Sequence, residues 1–294
     1  MTTDIHFQSW LLRKSPLWLE PYLRLMRLDR PVGITLIALP ALWGLVATDA
    51  SLPPFSLFLI FMAGAFLMRS AGCVINDLID HNLDQQVTRT KQRPLASKEL
   101  SSLQGWGCMG VLLGLALILL LHLNFETQLL GVIAVVLTSF YPFMKRFTYW
   151  PQAFLGLAMN WGILMAETAL KGTISLKGIL LFLVGIAWTL FYDTLYAHQD
   201  KEDDLKIGLK SSALKLGHHT KPFLAGIIIL QSLCLITYYL AAYSLSWRFI
   251  IFSVLALSSL LYSLWKTNIE SPDSCLKAFK QSQFFGWFLL IALV

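Results

Sequence analysis

The chain has 294 residues, of which 56% are hydrophobic and only 14% are charged, and its mean hydropathy is +0.63. These values exclude an ordinary soluble domain, because a chain of this length could not bury so much apolar surface in one core. The net charge of +6 does not indicate nucleic-acid binding, because the positions of the basic residues are explained by membrane topology. The four cysteines show no C-x-x-C spacing, which argues against a zinc site or a disulfide framework.

In chain order, residues 1–32 come first and lack the layout of a secretory signal peptide. They mix Trp and Leu with Arg and Lys, which predicts interfacial helices lying on the membrane surface. Nine apolar runs follow, and a helix of about 20 residues crosses the hydrocarbon layer. The runs cover residues 33–50, 55–75, 103–121, 127–144, 151–169, 178–196, 222–243, 248–265 and 281–294. We therefore predict an all-α polytopic membrane bundle of about nine transmembrane helices, forming a single domain over residues 1–294.

The distribution of Lys and Arg orients this bundle, because cytoplasmic loops carry an excess of both. With the N-terminus in the cytoplasm, three basic residues, Lys171, Lys177 and Arg248, fall on the opposite face, and Arg69 lies inside a span. All the other basic residues fall on the cytoplasmic face. The two long loops, 76–102 and 197–221, also lie there and carry most of the acids. The functional site is therefore expected at the cytoplasmic side.

Acidic side chains recur at helical spacing in both long loops. Asn76, Asp80 and Asp84 follow one another at four-residue intervals, and Arg69 lies on the same stripe. A second row, also predicted to share one helical face, contains Asp193, Asp200 and Asp204. Carboxylates this close repel one another unless a cation lies between them. Oxygen ligands with no His or Cys cluster nearby favour Mg²⁺, which keeps bound water and binds substrate phosphates.

Basic residues border both acidic rows, as expected if a diphosphate bridges metal and cationic side chains. They are Arg89, Lys91, Arg93, Lys145, Arg146, Lys206, Lys210 and Lys215. The residues thus predict a cytoplasmic site for metal and diphosphate, with the apolar helices holding a lipid tail. The alternative for either row alone is a solvated charged loop. The less aligned acids Asp77, Glu202 and Asp203 are open to the same interpretation.

Two motifs carry a close resemblance to a known family. They are NDLIDHNLD at 76–84, followed by RTKQRP at 89–94, and YDTLYAHQDKEDD at 192–204. Both resemble motifs of the UbiA superfamily of intramembrane aromatic prenyltransferases. The segments RLDRPVG at 27–33, GCVINDLID at 72–80 and YPFMKR at 141–146 extend the resemblance over most of the chain.

The resemblance implies a nine-helix bundle with a central cavity that opens laterally to lipid and is capped by the two cytoplasmic loops. It implies Mg²⁺-dependent transfer of a polyprenyl group from polyprenyl diphosphate to 4-hydroxybenzoate, ortho to the hydroxyl, for ubiquinone biosynthesis at a bacterial inner membrane. The implied metal ligands are Asn76, Asp80, Asp84, Asp200 and Asp204. The implied phosphate partners are Arg89, Arg93 and Lys145, and the candidates for the aromatic carboxylate are Arg30 and Arg146.

Chemistry of this type predicts roles for further residues. Ionisation of an allylic diphosphate leaves a carbocation that must be shielded from water, and the rings of Tyr192, Tyr196 and Phe191 are candidates to stabilise it. Asp193, above the metal ligands, is the candidate to activate the acceptor hydroxyl, although a buried pair with Arg69 is the alternative. Arg69 is a further catalytic candidate, because an intramembrane cation is costly without a partner.

Three other functions share some of these features. An ion-coupled transporter would use intramembrane carboxylates, but it would place them near the bilayer midplane. A related prenyltransferase could use homogentisate, a naphthoate or haem as its acceptor with the same metal ligands. A CDP-alcohol phosphotransferase also has aspartate rows, but the Asp-Gly opening and Ala-Arg pair expected of it are missing here.

Overall fold

Helices form all the regular structure that the computed structural model describes, which covers residues 12, 14–30, 32–47, 53–87, 90–241 and 246–294. The α-helices are α1 (Glu20–Leu25), α2 (Val32–Val46), α3 (Phe55–Asp84), α4 (Ser102–Leu120), α5 (Phe125–Phe140), α6 (Met144–Phe147), α7 (Pro151–Lys171), α8 (Leu176–Ala197), α9 (Lys201–Ile207), α10 (Ser212–Leu216), α11 (Thr220–Ala241), α12 (Trp247–Lys266), α13 (Pro272–Gln281) and α14 (Gln283–Leu293). Short 3-10 helices at Tyr141–Phe143 and Gly217–His219 lead into α6 and α11. The all-α prediction is confirmed.

Seven segments of the described chain are long and apolar enough to cross a membrane. They are Phe55–Asp84, Ser102–Leu120, Phe125–Phe147, Pro151–Lys171, Leu176–Ala197, Ser212–Ala241 and Trp247–Lys266. The remaining two predicted spans correspond to the shorter apolar helices α2 and α14. The bundle is therefore a polytopic membrane fold in which each predicted span coincides with a helix.

Local signals explain where several helices begin and end. A capping box starts α4, in which Ser101 accepts from the Gln104 backbone and the Gln104 side chain accepts in return. Pro151 occupies the first turn of α7, where its missing N–H leaves no hydrogen bond unmade. The helix ends at Lys171, and the capping residue Gly172 follows with a φ of 71°, which favours glycine.

Helix α8 is the centre of the bundle. In its most apolar window 67% of the residues are buried, against 17% in α4 and in the Phe125–Phe147 segment, so those two segments face lipid. The Trp188 ring on α8 packs 5.3 Å from Trp43 of α2 and 5.7 Å from Phe285 of α14. Both indoles also donate hydrogen bonds of 3.0 Å to the last part of the chain, Trp43 to the Gly286 carbonyl and Trp188 to the Ser282 carbonyl. The last helices are thereby held against α2 and α8.

The two acidic rows differ in their backbone. Helix α3 continues without a break to Asp84, as the spacing of the first row predicts. Helix α8 ends at Ala197, and Asp200 precedes the separate short helix α9. The prediction that Asp193, Asp200 and Asp204 share one helical face is therefore wrong, because the chain turns after Ala197 and resumes as a new helix.

A buried histidine holds this turn in place. His198 is only 4% exposed and its Nε2 lies 2.9 Å from Thr220 Oγ1 at the start of α11. Burial, together with the neighbouring charge of Lys201, holds the pKa of His198 below the ordinary 6.5.

We expect this histidine to make the stability of the protein depend on pH. The pKa of His198 is lower in the folded protein than in the unfolded chain, so the unfolded chain takes up a proton first as the pH falls. The stabilising contribution of neutral His198 is therefore present above pH 6.5 and is lost as the pH falls through the folded pKa. Below pH 6.5 the thermal denaturation temperature of the wild-type protein should fall more steeply than that of His198→Gln. If the denaturation temperatures of the two proteins fall in parallel as the pH is lowered, His198 does not cause the loss of stability.

The N-terminal segment contains α1, whose buried Leu23 and Leu25 pack towards the bundle. Its neighbours Leu17 and Trp18 are exposed, as an interfacial position requires. Residues 1–11 and Arg13 lie outside the described residues, so the interfacial helices stay a prediction there.

Candidate active site

Most members of the two acidic rows face one cavity, at the end of the bundle that the distribution of basic residues predicts to be cytoplasmic. This polar cavity has a volume of ≈ 220 Å³. Asn76 and Asp84 of α3 lie in its wall, and so do Asp193, Asp200 and Asp204 from the second row. Two segments more than a hundred residues apart in the chain therefore present their oxygen donors to the same space.

Basic side chains line the same cavity. Arg93 and Lys145, both predicted phosphate partners, lie in its wall together with Lys210. The Arg93 Nη1 donates a 2.8 Å hydrogen bond to Asp84 Oδ2. Lys210 Nζ donates to the Phe147 carbonyl at 3.0 Å, which ties the segment after α9 to the end of α6. Arg89 lies outside the described residues, so its predicted contact with phosphate stays a prediction.

Asp80 occupies a different position from the other predicted metal ligands. Its side chain is fully buried and is absent from the wall of the polar cavity. The carboxylate pairs with Lys145 and, at 3.2 Å, with Arg146. Arg146 is itself exposed and stands outside the walls of this cavity and of the larger cavity described below.

Asp77, considered above as a solvated residue, is instead the centre of a buried charge network. Its side chain is 1% exposed and accepts hydrogen bonds from Arg27 Nη2 at 2.7 and 2.9 Å and from Arg93 Nη1 at 3.1 Å. Burial opposes charge on the Arg27 guanidinium, but the Asp77 carboxylate outweighs it and raises the pKa of Arg27. Because Arg93 also binds Asp84, the network runs from the N-terminal segment to the polar cavity.

Replacing Asp77 by asparagine should destabilise the protein by about 3–5 kcal/mol, since it leaves the buried Arg27 charge without its partner. The measurement is the loss of thermal stability of the purified protein in detergent. Asp203→Asn is the control, because Asp203 pairs at 3.5 Å with Lys206, whose side chain is 70% exposed; its loss should cost about 0–1 kcal/mol. Equal stability of the two variants would contradict the network.

A larger cavity of ≈ 390 Å³ adjoins the polar cavity, and we call it the mixed cavity because charged, aromatic and aliphatic side chains all line it. The predicted residues Arg30, Arg69 and Tyr192 lie in its wall. Five residues belong to both walls, namely Asn76, Arg93, Tyr141, Asp193 and Tyr196. Asp193 and Tyr196 therefore stand where the two spaces join.

Arg69 reaches the mixed cavity across the start of α2. Its Nη1 donates to Cys73 Sγ at 2.7 Å, and its guanidinium lies against Gly33. A Cβ at position 33 would come within 2.5 Å of Arg69 Nε, so the absence of a side chain there makes room for the arginine.

A third, apolar cavity of ≈ 360 Å³ lies further along α3, with Ile60, Ala65 and Met68 in its wall. It shares Met159 of α7 with the mixed cavity. Leu117 and Val132 line it and are also exposed on the outside of the bundle, so it reaches the lipid-facing surface. The polar, mixed and apolar cavities thus succeed one another along α3.

The donors in the polar cavity fit Mg²⁺ bound together with a phosphate ligand. No three His, Cys, Asp or Glu side chains of the described residues converge closely enough to hold a metal alone. The available donors are the Asn76 amide oxygen and the carboxylates of Asp84, Asp193, Asp200, Asp203 and Asp204. Mg²⁺ commonly takes one or two carboxylates and completes its shell with water and substrate phosphates.

Comparison with known proteins identifies the family of this chain. Residues 37–289 match the profile of the UbiA prenyltransferase family. The chain belongs to the UbiA prenyltransferase family. It is 42% identical over 289 residues to the mitochondrial 4-hydroxybenzoate polyprenyltransferase of Arabidopsis thaliana, covering 97% of this chain and 71% of the relative. It is 41% identical to the 4-hydroxybenzoate octaprenyltransferase of Pseudomonas aeruginosa (strain LESB58), covering 93% of this chain and 92% of the relative.

The UbiA fold is also found among solved structures. A UbiA homolog from Archaeoglobus fulgidus bound to GPP and Mg²⁺ superposes with a TM-score of 0.71 at 20% identity, covering 93% of this chain and 100% of that one. Membership of this family favours the prenyltransferase interpretation over the transporter and the phosphotransferase. The fold predicted from the sequence is confirmed.

Several residues of this UbiA site escaped prediction from the sequence. The position of Asp77 could have been predicted from spacing, because Asp77, Asp80 and Asp84 at i, i+3 and i+7 also share a helical face. Lys280, which lines the mixed cavity, gave no local signal, since only the packing of the last helices on α8 brings it into the same cavity wall as Arg30. Tyr141, in the walls of both adjoining cavities, was quoted only as part of a motif.

Proposed function

We propose that this protein transfers a polyprenyl group from polyprenyl diphosphate to the ring carbon ortho to the hydroxyl of 4-hydroxybenzoate, in ubiquinone biosynthesis. The observation that carries the proposal is the succession of three cavities along α3, from polar through mixed to apolar. This order matches a substrate with a diphosphate head, a reactive allylic carbon and a long hydrocarbon tail. Its relatives' names, 4-hydroxybenzoate polyprenyltransferase and 4-hydroxybenzoate octaprenyltransferase, support the choice of reaction.

The diphosphate head belongs in the polar cavity. Arg93 and Lys145 supply charge-assisted donors for phosphate oxygens, while Asn76, Asp84, Asp200 and Asp204 would hold Mg²⁺. The chemistry that bound Mg²⁺ supplies is neutralisation of the negative charge that grows on the leaving diphosphate. Asp80 acts one step away, by positioning Lys145, with which it pairs.

The reacting centre belongs at the junction with the mixed cavity. Tyr192 and Tyr196 line this space, and their rings are fixed by Phe279, whose centroid lies 5.8 and 4.8 Å away. Aromatic faces stabilise a carbocation and exclude the water that would quench it to an alcohol. Asp193, in the walls of both cavities, accepts a hydrogen bond from the acceptor hydroxyl, which enriches the ortho carbon in electrons. The allylic carbon–oxygen bond breaks to release diphosphate, a bond to the ortho carbon forms, and that carbon loses its proton, which restores aromaticity.

The hydrocarbon tail belongs in the apolar cavity, whose wall reaches the lipid-facing surface at Leu117 and Val132. A polyprenyl chain can extend from there into the bilayer without meeting water. We place the protein in a bacterial inner membrane with the polar cavity facing the cytoplasm. The basic residues, which collect on that side, support the orientation.

The test is an assay of membranes containing the protein with Mg²⁺, a polyprenyl diphosphate and 4-hydroxybenzoate. We expect prenylated 4-hydroxybenzoate to form, its formation to stop with EDTA and to resume with excess Mg²⁺. Product with a different aromatic acceptor alone would replace the acceptor in the proposal. No turnover with any aromatic acceptor would overturn the proposed function.

A further inference from the structure

A lysine near the end of the chain lines the mixed cavity and is not among the residues that bind the diphosphate or surround the reacting carbon. Lys280 lies at the end of α13 and is half-buried. It shares the cavity wall with Arg30, Tyr192 and Asp193, and it is absent from the wall of the polar cavity.

The backbone on both sides of Lys280 is held to the central helix α8. The preceding residue, Phe279, packs its ring 4.8 Å from Tyr196 and 5.8 Å from Tyr192. Two residues later, the Ser282 carbonyl accepts a 3.0 Å hydrogen bond from Trp188 Nε1. Lys280 is therefore carried by a rigid element and stands next to the aromatic side of the cavity.

The mixed cavity carries more basic than acidic groups. Its basic residues are Arg27, Arg30, Arg69, Arg93 and Lys280, and its acidic residues are Asp77 and Asp193. Asp77 binds both Arg27 and Arg93, and Arg30 Nε donates to Asp29 at 3.2 Å. Among the ion pairs found in the described ranges, none involves Lys280. A positive charge beside an aromatic wall suits a small aromatic molecule that carries a carboxylate.

We propose that Lys280 is a specificity-determining residue that binds the carboxylate of the aromatic acceptor in the mixed cavity. This inference rests on the proposed function and deepens it, because it assigns the recognition of the acid group to the last part of the chain. The other source of anionic oxygens, the donor diphosphate, is held in the polar cavity, whose wall does not include Lys280.

The experiment measures equilibrium binding of 4-hydroxybenzoate and of its uncharged methyl ester to the purified full chain in detergent, independently of turnover. Lys280→Met should bind 4-hydroxybenzoate about tenfold more weakly than the wild type, as expected for loss of one charge-assisted hydrogen bond. Binding of the ester should be unchanged, and Lys280→Arg should restore most of the affinity for the acid. Lys277→Met is the matched control, since Lys277 is exposed on the same helix.

In the transfer assay, Lys280→Met should raise KM for 4-hydroxybenzoate about tenfold and leave KM for polyprenyl diphosphate unchanged. Equal binding of the acid by the wild type and Lys280→Met, or a rise confined to KM for the diphosphate, would overturn the assignment and leave the proposed function intact. Absence of product from the wild type would overturn the proposed function, while the binding comparison would still decide the role of Lys280. Absence of saturable binding of the acid to the wild type would overturn the assignment as well.

Discussion

Each of the single substitutions Asp84→Asn, Asp200→Asn and Asp204→Asn should lower the rate of prenyl transfer by about 10²–10³-fold. All three carboxylates face the polar cavity, and each change removes one negative oxygen donor from the group that would hold Mg²⁺ and the diphosphate. Loss of a single preorganised electrostatic contact to a developing charge commonly costs this much. The measurement is the initial rate of product formation at saturating concentrations of both substrates.

Glu202→Gln is the matched control for these variants. Glu202 belongs to the same short helix as Asp204 but is exposed and absent from the cavity wall, so its rate should equal that of the wild type. Wild-type rates in the Asp200 and Asp204 variants would show that the second row takes no part in the reaction. Equal losses in Glu202→Gln would attribute the effect to the loop as a whole.

Asp193→Asn should lower kcat by about 10²–10⁴-fold, the range expected for loss of a general base or an equivalent hydrogen-bond acceptor. Asp193 stands at the junction of the polar and mixed cavities, where the acceptor hydroxyl would approach the allylic carbon. Because the asparagine keeps the shape of the side chain, KM for polyprenyl diphosphate should change little. Separate titration of each substrate measures the two constants.

Glu126→Gln serves as the control for Asp193→Asn, since Glu126 is exposed at the start of α5 and lines none of the three cavities. Full activity of Asp193→Asn would remove Asp193 from the mechanism. A rise in KM for polyprenyl diphosphate without a fall in kcat would instead make Asp193 a binding residue for the donor.

The parts of this fold that the sequence predicts are those controlled by local periodicity. Apolar runs of bilayer length locate the helices, and the spacing of Asn76, Asp80 and Asp84 places them on one helix, which α3 confirms. The break between α8 and α9 was not predictable in this way. No Gly or Pro lies between Ala197 and Asp200, and the buried contact of His198 with Thr220 is a tertiary interaction.

The site was harder to predict where its residues meet through tertiary packing. Arg27 and Asp77 lie 50 positions apart, and only the return of the segment after α3 brings Arg93 beside both Asp77 and Asp84. The spacing of Asp80 matched that of its neighbours, yet Lys145 and Arg146 of α6 hold its carboxylate away from the cavity wall. Helical spacing predicts which residues share a face, but only packing decides what that face meets.

Binding of Mn²⁺ in place of Mg²⁺, followed by electron paramagnetic resonance with a non-ionisable analogue of polyprenyl diphosphate, tests the central claim most directly. If the two acidic rows hold one metal-bound diphosphate, Mn²⁺ should bind tightly only when the analogue is present. Asp84→Asn and Asp204→Asn should each abolish this analogue-dependent signal. Retention of the full signal in either variant would mean that its row does not hold the metal, and would contradict the account.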